Sequence, residues 1–488
     1  EQSDTYNSLG HALNDLGRLD EAIEAYKKAL SANPKHAVAR ATKIHRQAHI
    51  CDWSDLEADK AHSMNVEVVD NPAPPFAFFS IEDAPDRHLK RSQNYSKHRI
   101  SGTLQTQVFN FGQKPDRLRI GYLSSDFHDH PVARGIAKVI ETHNREKFEI
   151  FGYSLGQSSD DAVRKRLLAA FDRFVDFQRT PDTQVLDKLR NDNINIAIDL
   201  TGYTSNGRSN IFSHRVAPIQ ISYLGYPGSM GSDYIDYIIA DKTLIPANCQ
   251  RYYSEKPIYL ANHCQPQDDD AEIGKIQSRS DLNLPDQGFV FCAINSCNKI
   301  TPREFDIWMR LLKRVHGSVL WLFEANKWAK ENLIKEAAKR GVESHRLIFA
   351  KRKPHHQYLA QFCQADLFLD TFNYNAGATA GNALWAGLPV LTKQGKSYTA
   401  RMASSLLNSI GLSELITTNE KEYEILALEF AENPTQISKI KQKLKTNLLT
   451  MPLFNTQALT KQLEVGFERA YENYVEGKEP RAIEASEL

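Results

Sequence analysis

The stretch that decides the fold is residues 366–392, DLFLDTFNYNAGATAGNALWAGLPVLT. Residues 366–370 and 388–392 are short apolar runs of the kind that form buried parallel strands. Between them, the small residues of 375–381 predict a turn, and residues 382–386 favour a short helix. The stretch therefore predicts a strand–turn–helix–strand unit whose turn carries almost no side-chain bulk.

A turn of this composition suits an anion. Gly377 and Gly381 let a ligand approach the backbone closely, and Thr379 is a candidate N-cap for the helix that follows. Unpaired N–H groups at the helix start, with the positive end of the helix dipole, would then face a phosphate or diphosphate. A tight packing turn without a ligand is the alternative, and these residues alone do not decide between the two. The spacing is not that of a G-x-G-x-x-G dinucleotide fingerprint.

The amino-acid composition limits the classes of protein to which this chain can belong. The 488 residues contain 60 Lys and Arg against 60 Asp and Glu, so neither a nucleic acid nor an anionic membrane is expected as the main partner. A content of 41% hydrophobic and 25% charged residues indicates a soluble globular chain, and no apolar run is long enough to predict a membrane span. The first residues lack a signal-peptide pattern. The six scattered cysteines form no C-x-x-C pair, which indicates reduced thiols in a cytoplasmic protein.

Residues 5–38 match the pattern of one tetratricopeptide repeat, which is a pair of antiparallel helices. The match rests on a central Leu-Gly pair, on alanines that let the helices approach, and on tyrosines that fill the space between them. These positions are Tyr6, Leu9, Gly10, Ala22, Tyr26, Ala29 and Pro34. An ordinary helical hairpin is the alternative. Residues 37–50 could start a second, degenerate repeat, because one repeat cannot bury its face alone.

Two series of alternating strands and helices follow. In the first, strands are predicted at 118–124, 148–154, 174–177, 194–200, 219–224 and 237–240, and helices at 132–143, 161–171 and 183–191. In the second, strands are predicted at 289–295, 319–323 and 347–350 besides those of the opening stretch, and helices at 302–315, 329–340, 399–410, 420–432, 435–449 and 456–476. This alternation predicts an α/β fold of two doubly wound parallel sheets after an all-α segment.

The same patterns predict the domains. Residues 1–60 hold the repeat and the partial second repeat, and 61–116 are a linker region, with helices expected at 51–69 and 84–95 around the proline-rich stretch 71–79. The N-terminal lobe covers 117–264, the acidic interlobe linker 265–278, and the C-terminal lobe 279–455. Residues 456–488 form a C-terminal helix and tail, and we expect this helix to pack back on the first lobe.

Two side chains carry the candidate chemistry, because ligands of such sheets bind at the carboxyl ends of the strands. Lys299 follows the strand at 289–295 and could neutralise a leaving diphosphate, and His130 follows the strand at 118–124 and could assist an acceptor nucleophile. The pair suits group transfer from a nucleotide-activated donor. His130 could instead cap or pack against a helix, or bind a metal with His128. Since no third ligand is visible beside the two histidines, no metal site is predicted there. No D-x-D motif lies at a strand end in a convincing context, so metal-independent transfer is favoured.

The chain resembles the protein O-linked N-acetylglucosamine transferase family in several long motifs. They are LRIGYLSSDFHDHPVARGI at 118–136, YSEKPIYL at 253–260 and NKITPREFDIWMRLLKRVHGSVLWLF at 298–323, together with residues 199–241, 346–356 and 369–392. The resemblance includes bacterial members and SPINDLY-type proteins, and it covers nearly all of residues 117–475. The upstream repeat fits as well, because the family carries tetratricopeptide repeats before its catalytic region.

The resemblance implies an inverting glycosyltransferase with two Rossmann-like lobes of the GT-B type, which moves N-acetylglucosamine from UDP-N-acetylglucosamine to Ser or Thr of a protein recruited by the repeats. The nucleotide sugar is a substrate, and no cofactor is implied. His130 matches the family's active-site histidine, and Lys299 matches the lysine that meets the donor diphosphate. Implied donor-binding residues are Asn295, Ser296, Gly377, Ala378, Thr379 and Asn382, with Lys353, His355 and Tyr358 at the uridine. Implied residues of the acceptor or cleft loops are Asp126, Gly202, Tyr203, Thr204, Pro227 and Gly228.

The chain also departs from the family at the donor. Gly377-Ala378-Thr379 stands where animal members have His-Thr-Thr, and Asn382 stands where an Asp usually reaches the ribose. Ser296 replaces a longer amide, and Tyr358 replaces a histidine. These changes indicate an altered nucleotide pocket.

Two alternatives therefore stay open. One is a transferase of the same fold with another donor, such as GDP-fucose or UDP-glucose, or with Asn or a glycan as acceptor. The other is a repeat-protein adaptor that has lost catalysis, although retention of His130 and Lys299 argues against it. The compact linker and the YNAGATAGNALWAG version of the turn are typical of bacterial members. Homo-oligomerisation through the repeats is also open.

Overall fold

A computed structural model describes residues 1–64, 72–99 and 115–486. The described chain divides into two compact units by its internal contacts. The first unit comprises Glu1–Arg87 and Ala271–Thr450, and the second comprises His88–Asp270 and Met451–Leu488. Within the described residues, no helix combines the length and the apolar character needed to span a membrane.

The N-terminal helices form the predicted repeat. They are α1 (Gln2–Asp15), α2 (Leu19–Ala32), α3 (Ala37–His49) and α4 (Leu56–Met64). The fully buried Tyr26 ring packs between α1 and α2, and a Cβ added at Gly10 would lie 2.4 Å from that ring. Gly10 therefore leaves the space that the tyrosine fills. α3 packs on α2 through Ala39, which agrees with the start of a second repeat.

The described residues between the repeat and the first lobe form more regular structure than the predicted linker implied. Helix α4 starts at Leu56, not at residue 51, and residues 65–69 of the predicted helix lie outside the described residues. In the proline-rich stretch, residues 75–78 form a 3-10 turn whose Phe78 is buried against α3. The prolines favour a turn, and burial of the aromatic ring holds that turn on the repeat. Helix α5 (Pro85–Arg99) then covers the helix predicted at 84–95.

The second unit contains the first α/β lobe, close to its predicted pattern. Its elements are β1 (Leu118–Ser124), α6 (Pro131–Thr142), β2 (Phe148–Ser154), α7 (Ala162–Ala170), β3 (Arg173–Asp176), α8 (Asp182–Asn191), β4 (Ile196–Asp199), α9 (Asn210–Ser213), β5 (Ile219–Ser222), β6 (Tyr237–Asp241) and β7 (Lys256–Leu260). The sequence pattern did not predict β7 as a strand. Most of these strands are buried on both faces, as parallel strands covered by helices must be.

The first unit contains the second lobe. Its elements are β8 (Val290–Ala293), α10 (Pro302–Arg314), β9 (Val319–Phe323), α11 (Lys327–Lys339), β10 (Leu347–Ala350), α12 (His355–Phe362), β11 (Leu367–Leu369), α13 (Ala378–Trp385), β12 (Val390–Lys393), α14 (Met402–Ser409), β13 (Ile416–Thr417), α15 (Glu420–Glu432) and α16 (Pro434–Asn447). The chain ends with α17 (Thr456–Val475) and β14 (Ile483–Glu484), which belong to the second unit.

Helix α17 packs on the first lobe, as the sequence predicted. Its Glu464 Oε1 lies 2.9 Å from His143 Nδ1 and accepts the Asn144 N–H at 2.7 Å. β14 then pairs with the edge strand β7 in parallel, with Ile483 opposite Ile258. The C-terminal segment therefore completes the lobe that was begun more than 300 residues earlier in the chain.

Strand order locates the binding edge of each sheet. The sheet of the second unit runs β14-β7-β6-β5-β4-β1-β2-β3, and that of the first unit runs β10-β9-β8-β11-β12-β13. All neighbouring strands pair in parallel. The direction of winding reverses between β1 and β4 in one sheet and between β8 and β11 in the other. Ligands bind at such switch points in open α/β sheets. The predicted fold class is confirmed, with two Rossmann-like lobes and a helical repeat segment.

Candidate active site

Lys299 lies at the switch point of the first unit. It ends the 3-10 turn Cys297–Lys299, which follows β8. Its Nζ donates a hydrogen bond to the carbonyl oxygen of Asn375 at 3.0 Å and lies 4.1 Å from the centroid of the Tyr374 ring. Both partners belong to the turn after β11. The structure thus brings the predicted lysine to the predicted anion-binding turn.

A buried carboxylate shapes this turn. Asp370 Oδ1 accepts the N–H groups of Thr371 at 2.9 Å and Ala376 at 2.7 Å, and Oδ2 accepts the Thr392 hydroxyl at 2.7 Å. The sequence pattern indicated Asp370 only as the end of a strand. The available signal was a charged residue that closes an apolar strand just before a turn of small residues.

Burial shifts the pKa values of the two ionisable groups at this site in opposite directions. It lowers the pKa of Lys299 to about 8, although the carboxylate of Asp370 favours the charged ammonium. It raises the pKa of Asp370 to about 7, although hydrogen bonds from Ala376 and Thr392 favour the carboxylate. The ammonium of Lys299 is therefore poorly compensated, and an anion bound beside it would stabilise its charged form.

Helix α13 starts earlier than predicted, and the expectation that Thr379 caps it was wrong. Gly377 is the N-cap, Ala378 is the first helical residue, and Thr379 is the second. The helix starts here because Asp370 ties down the Ala376 N–H, which ends the turn at that residue. Within the described part of the chain, no side chain caps the helix. The first N–H groups of a helix have no intrahelical acceptor, so the helix start that was predicted to face an anion lies two residues upstream of Thr379.

Asn295 links the segment that leads into the 3-10 turn of Lys299 to helix α13. Its Oδ1 accepts the Ser296 N–H at 2.8 Å and the Thr379 hydroxyl at 3.4 Å. The residue is 5% exposed, and among the described residues its Nδ2 has no acceptor. A buried amide donor without a partner costs free energy, which a ligand oxygen could recover. Ser296 is exposed beside it, and Asn382 is partly exposed on α13.

The implied uridine residues form a second group at the same edge of the sheet. Lys353 follows β10 and donates to Gln277 Oε1. His355 and Tyr358 lie in the first turn of α12 with their rings stacked, 6.1 Å between centroids and 28° between planes. Strand β9 separates β10 from β8, so this group lies to one side of Lys299. An aromatic pair and a cation are suitable contacts for a nucleobase and its attached groups.

His130 lies at the switch point of the second unit and is the N-cap of α6. Its Nδ1 accepts the Val132 N–H at 3.3 Å and lies 3.8 Å from Asp126 Oδ2. Its side chain is 39% exposed. Burial lowers the pKa of His130 and raises that of Asp126. The N-cap contact predicted for His130 is therefore confirmed, and it uses only Nδ1, so the neutral ring carries its proton on Nε2.

The loop after β4 is built around another buried carboxylate. Asp199 Oδ1 accepts the N–H groups of Thr201 at 2.9 Å and Gly202 at 2.8 Å, and burial raises the pKa of Asp199 to about 6. Gly202 has φ +59°, and a Cβ there would lie 2.5 Å from Tyr226 Cβ. Tyr203 is buried, with its hydroxyl 3.3 Å from that of Tyr234. Tyr203 thus supports the loop from inside, whereas Thr204 is partly exposed.

Pro227 and Gly228 lie in the loop after β5, and both are buried. Glu255 anchors this loop. Its Oε2 accepts the Ser229 hydroxyl at 2.7 Å, and its Oε1 accepts the Met230 N–H at 2.6 Å. Burial raises the pKa of Glu255 to about 7. Sequence reasoning missed both Asp199 and Glu255, because each anchors a loop through contacts that only the fold reveals.

The structure therefore divides the predicted site residues between the two units. Lys299, Asn295, Ser296 and the start of α13 come together in the first unit, with the group at Lys353 beside them. Asp126, His130 and the loops after β4 and β5 share the sheet edge of the second unit. Throughout the described ranges, no three His, Cys, Asp or Glu side chains are grouped as a metal site would require.

Comparisons with known proteins agree with this architecture. A family profile described as Glycosyl transferase family 41 matches residues 91–270 and 264–463, and one described as Tetratricopeptide repeat matches residues 3–36. An O-GlcNAc transferase mutant of Thermobaculum terrenum is similar in structure, with a TM-score of 0.80 and 25% identity over 97% of this chain and 92% of that chain.

Curated relatives carry consistent names. The "Probable UDP-N-acetylglucosamine--peptide N-acetylglucosaminyltransferase SEC" of Arabidopsis thaliana is 30% identical over 474 residues, which is 91% of this chain and 48% of the relative. The SPINDLY protein of the same plant, which bears the same enzyme name, is 27% identical over 376 residues, 75% of this chain and 41% of the relative. The chain thus spans less than half the length of these relatives.

Proposed function

The chain belongs to glycosyl transferase family 41, and we propose that it transfers N-acetylglucosamine from UDP-N-acetylglucosamine to serine or threonine hydroxyls of proteins. The names of its relatives support this donor and a peptide acceptor. The observation that carries the proposal is the ammonium of Lys299 beside the uncapped start of α13. A cation and unpaired N–H groups at one switch point suit the diphosphate of a nucleotide sugar.

The chemistry follows from this charge distribution. The acceptor oxygen attacks the anomeric carbon of the sugar from the face opposite the leaving group, so a new C–O bond forms and the configuration inverts. The bond from the anomeric carbon to the diphosphate oxygen breaks, UDP departs with its electron pair, and the proton of the acceptor hydroxyl passes to solvent water. Lys299 and the first N–H groups of α13 would stabilise the charge that develops on that oxygen. Since these groups belong to the protein, we propose a transfer that needs no metal ion.

His130 would act on the acceptor through its Nε2 atom. With Nδ1 engaged by the Val132 N–H, a neutral ring can donate a hydrogen bond from Nε2 but cannot accept a proton there. We therefore propose that His130 orients the acceptor hydroxyl or another polar group of the substrate. A role as general base would require the ring to give up its helix-capping bond.

The remaining parts of the chain suggest how the acceptor is recruited. The repeat helices would bind the acceptor protein along their surface, as repeat arrays do. Assembly through the repeats into a homo-oligomer is a further proposal. A cytoplasmic location, as in bacterial members, accords with six cysteines that, all within the described residues, form no disulfide.

Calorimetric titration of the purified chain tests the donor. UDP, GDP and their sugar conjugates are added with and without EDTA, to the wild type and to Lys299→Met. Micromolar binding of UDP and UDP-N-acetylglucosamine that survives EDTA and weakens in the variant supports the proposal. Mass spectrometry of an acceptor peptide library then identifies the transferred sugar. Failure to bind any nucleotide would favour the adaptor alternative.

Specific residues of the chain support a different donor as an alternative to UDP-N-acetylglucosamine. Gly377 and Ala378 lack the imidazole and hydroxyl of animal members, and Asn382 cannot offer a charged contact to the ribose. These changes weaken side-chain recognition of the nucleotide, so GDP-fucose or UDP-glucose stays an alternative donor. Tighter binding of GDP than of UDP in the same titration would establish a guanine nucleotide.

A further inference from the structure

Helix α3 presents two histidines one turn apart. His45 and His49 are at positions i and i+4, where side chains of a helix lie above one another. Their Nε2 atoms are 3.2 Å apart, and their rings are perpendicular with centroids 4.5 Å apart. Both side chains are partly exposed. The proposed transfer reaction makes no use of this pair.

The distance between the two nitrogens fits a shared metal ion. At 3.2 Å the two Nε2 atoms are within hydrogen-bond distance, so one ring donates its N–H to the lone pair of the other. An ion bound between them would replace this hydrogen bond, with the donor ring carrying its proton on Nδ1 instead. Zinc–nitrogen bonds of about 2.0–2.1 Å at a tetrahedral angle place two ligand nitrogens about 3.3 Å apart. We propose that His45 and His49 form a two-histidine site for a divalent transition-metal ion of the zinc or copper class.

The pair is held in place by its surroundings. The His45 ring packs edge-on against Phe76, with centroids 5.8 Å apart. The carbonyl oxygen of His49 accepts the Asn326 amide at 2.8 Å and the Cys297 thiol at 3.1 Å, which fixes the end of α3 on the second lobe of the same unit. Ligands held by packing lose little conformational entropy when an ion binds.

The residues nearby define the class of ion. In the part of the chain that is described, no third His, Cys, Asp or Glu joins the pair, so water would fill the other coordination positions. A site without a carboxylate disfavours Mg²⁺ and Ca²⁺, which need oxygen ligands. Imidazole suits zinc, copper and nickel.

The site is close to the candidate active site but separate from it. The Phe76 ring that contacts His45 also meets the Tyr374 ring edge-on, with centroids 6.1 Å apart, and Lys299 lies over that tyrosine. Two aromatic rings thus stand between the metal pair and the lysine. Binding of the ion is independent of the proposed sugar transfer, and it can be measured without a nucleotide.

Titration of the full metal-free chain with zinc chloride tests the proposal, with a chromophoric chelator as competitor. We expect one equivalent of zinc to bind, copper to bind more tightly in the order of intrinsic affinities, and magnesium not to bind. His45→Gln and His49→Gln should each weaken zinc binding at least tenfold. His316→Gln, at an exposed histidine in another part of the unit, is the matched control and should bind as the wild type.

Circular dichroism of each variant establishes that the repeat still folds. Wild-type protein that binds no zinc would overturn the proposal. So would zinc affinity that is unchanged in the folded double variant His45→Gln/His49→Gln, because the ion would then be held elsewhere.

Discussion

The Lys299 ammonium donates a hydrogen bond of 3.0 Å to the Asn375 carbonyl oxygen, 76 residues further along the chain. This contact joins the loops that follow β8 and β11, the strands between which the winding of the sheet reverses. The same lysine lies over the Tyr374 ring. A single side chain thus braces the turn that we propose binds the diphosphate, and it places a positive charge beside that turn.

Removal of that charge should abolish most turnover. Lys299→Met retains the length and apolar stem of the side chain but removes the ammonium that we propose faces the leaving diphosphate. We expect kcat to fall about 10²–10³-fold, the usual effect of losing one stabilising group at developing charge. Initial rates with a peptide acceptor measure this. Lys339→Met, at an exposed lysine of α11, is the control, and near-normal turnover in Lys299→Met would refute the assignment.

The affinity for UDP should fall as the pH rises through 8. Burial lowers the pKa of Lys299 to about 8, so the ammonium that attracts the diphosphate is lost above that pH. A bound diphosphate raises the pKa of the lysine, so binding should take up a proton. We expect roughly fivefold weaker binding at pH 9 than at pH 8, because the protonated fraction falls by that factor.

The measurement is calorimetry of UDP binding between pH 7 and 9.5 in two buffers of different ionisation enthalpy. Lys299→Met serves as the control for titration of UDP itself, and its affinity should change little over this range. A wild-type profile as flat as that of the variant would contradict the prediction.

The two roles of His130 can be separated by substitution. His130→Asn keeps a side-chain oxygen that can accept the Val132 N–H, whereas His130→Ala loses the cap. We expect the Asn variant to retain wild-type stability and the Ala variant to lose about 1 kcal/mol. Both should lose turnover, about 10²-fold, if Nε2 acts on the acceptor.

Thermal unfolding and initial rates of the two variants provide the test. Full activity in His130→Asn would show that the histidine serves only as a helix cap. Val132→Ala alters the same helix turn without touching the ring and is the matched control.

Asn382→Asp should tighten nucleotide binding. The side chain is partly exposed on α13, and a carboxylate there would accept a charge-assisted hydrogen bond from a ribose hydroxyl. Such a bond is worth about 1 kcal/mol more than a neutral one, which is roughly fivefold in affinity. Calorimetry with UDP measures the change. If Asn382→Asp and Asn382→Ala both bind UDP as the wild type does, the side chain points away from the nucleotide.

Much of the fold could be predicted because its signals are local. The strands at 118–124, 148–154 and 319–323 were predicted to the residue, since buried parallel strands are continuous apolar runs. The repeat was equally clear, because Gly10 and Tyr26 are complementary in size at a fixed spacing. The sequence pattern did not predict β7, because Lys256 and Pro257 interrupt its apolar run. In the structure these two residues begin the strand, and β14 pairs with it at the edge of the sheet.

The sequence indicated candidate site residues, but it did not indicate the side chains that hold the loops of the site in place. Asp199, Glu255 and Asp370 are buried carboxylates that accept backbone N–H groups of the site loops. In each case the carboxylate replaces hydrogen bonds that a loop of small residues could not make within itself. Such a role gives no periodic signal, and for Glu255 the partner lies 25 residues away.

The sequence by itself determined the two β–α series and the helical repeat, and it indicated His130 and Lys299 as candidate site residues. Periodicity and motif spacing are properties of neighbouring residues, so they can be recognised without the fold. The tertiary structure decided the order of the strands, and with it which loops meet at each switch point. It also moved the start of α13 from the expected Thr379 cap to Gly377, since the Asp370 carboxylate holds the turn at Ala376. Strand order and burial depend on contacts between distant residues, so they and the pKa values they set exist only in the folded chain.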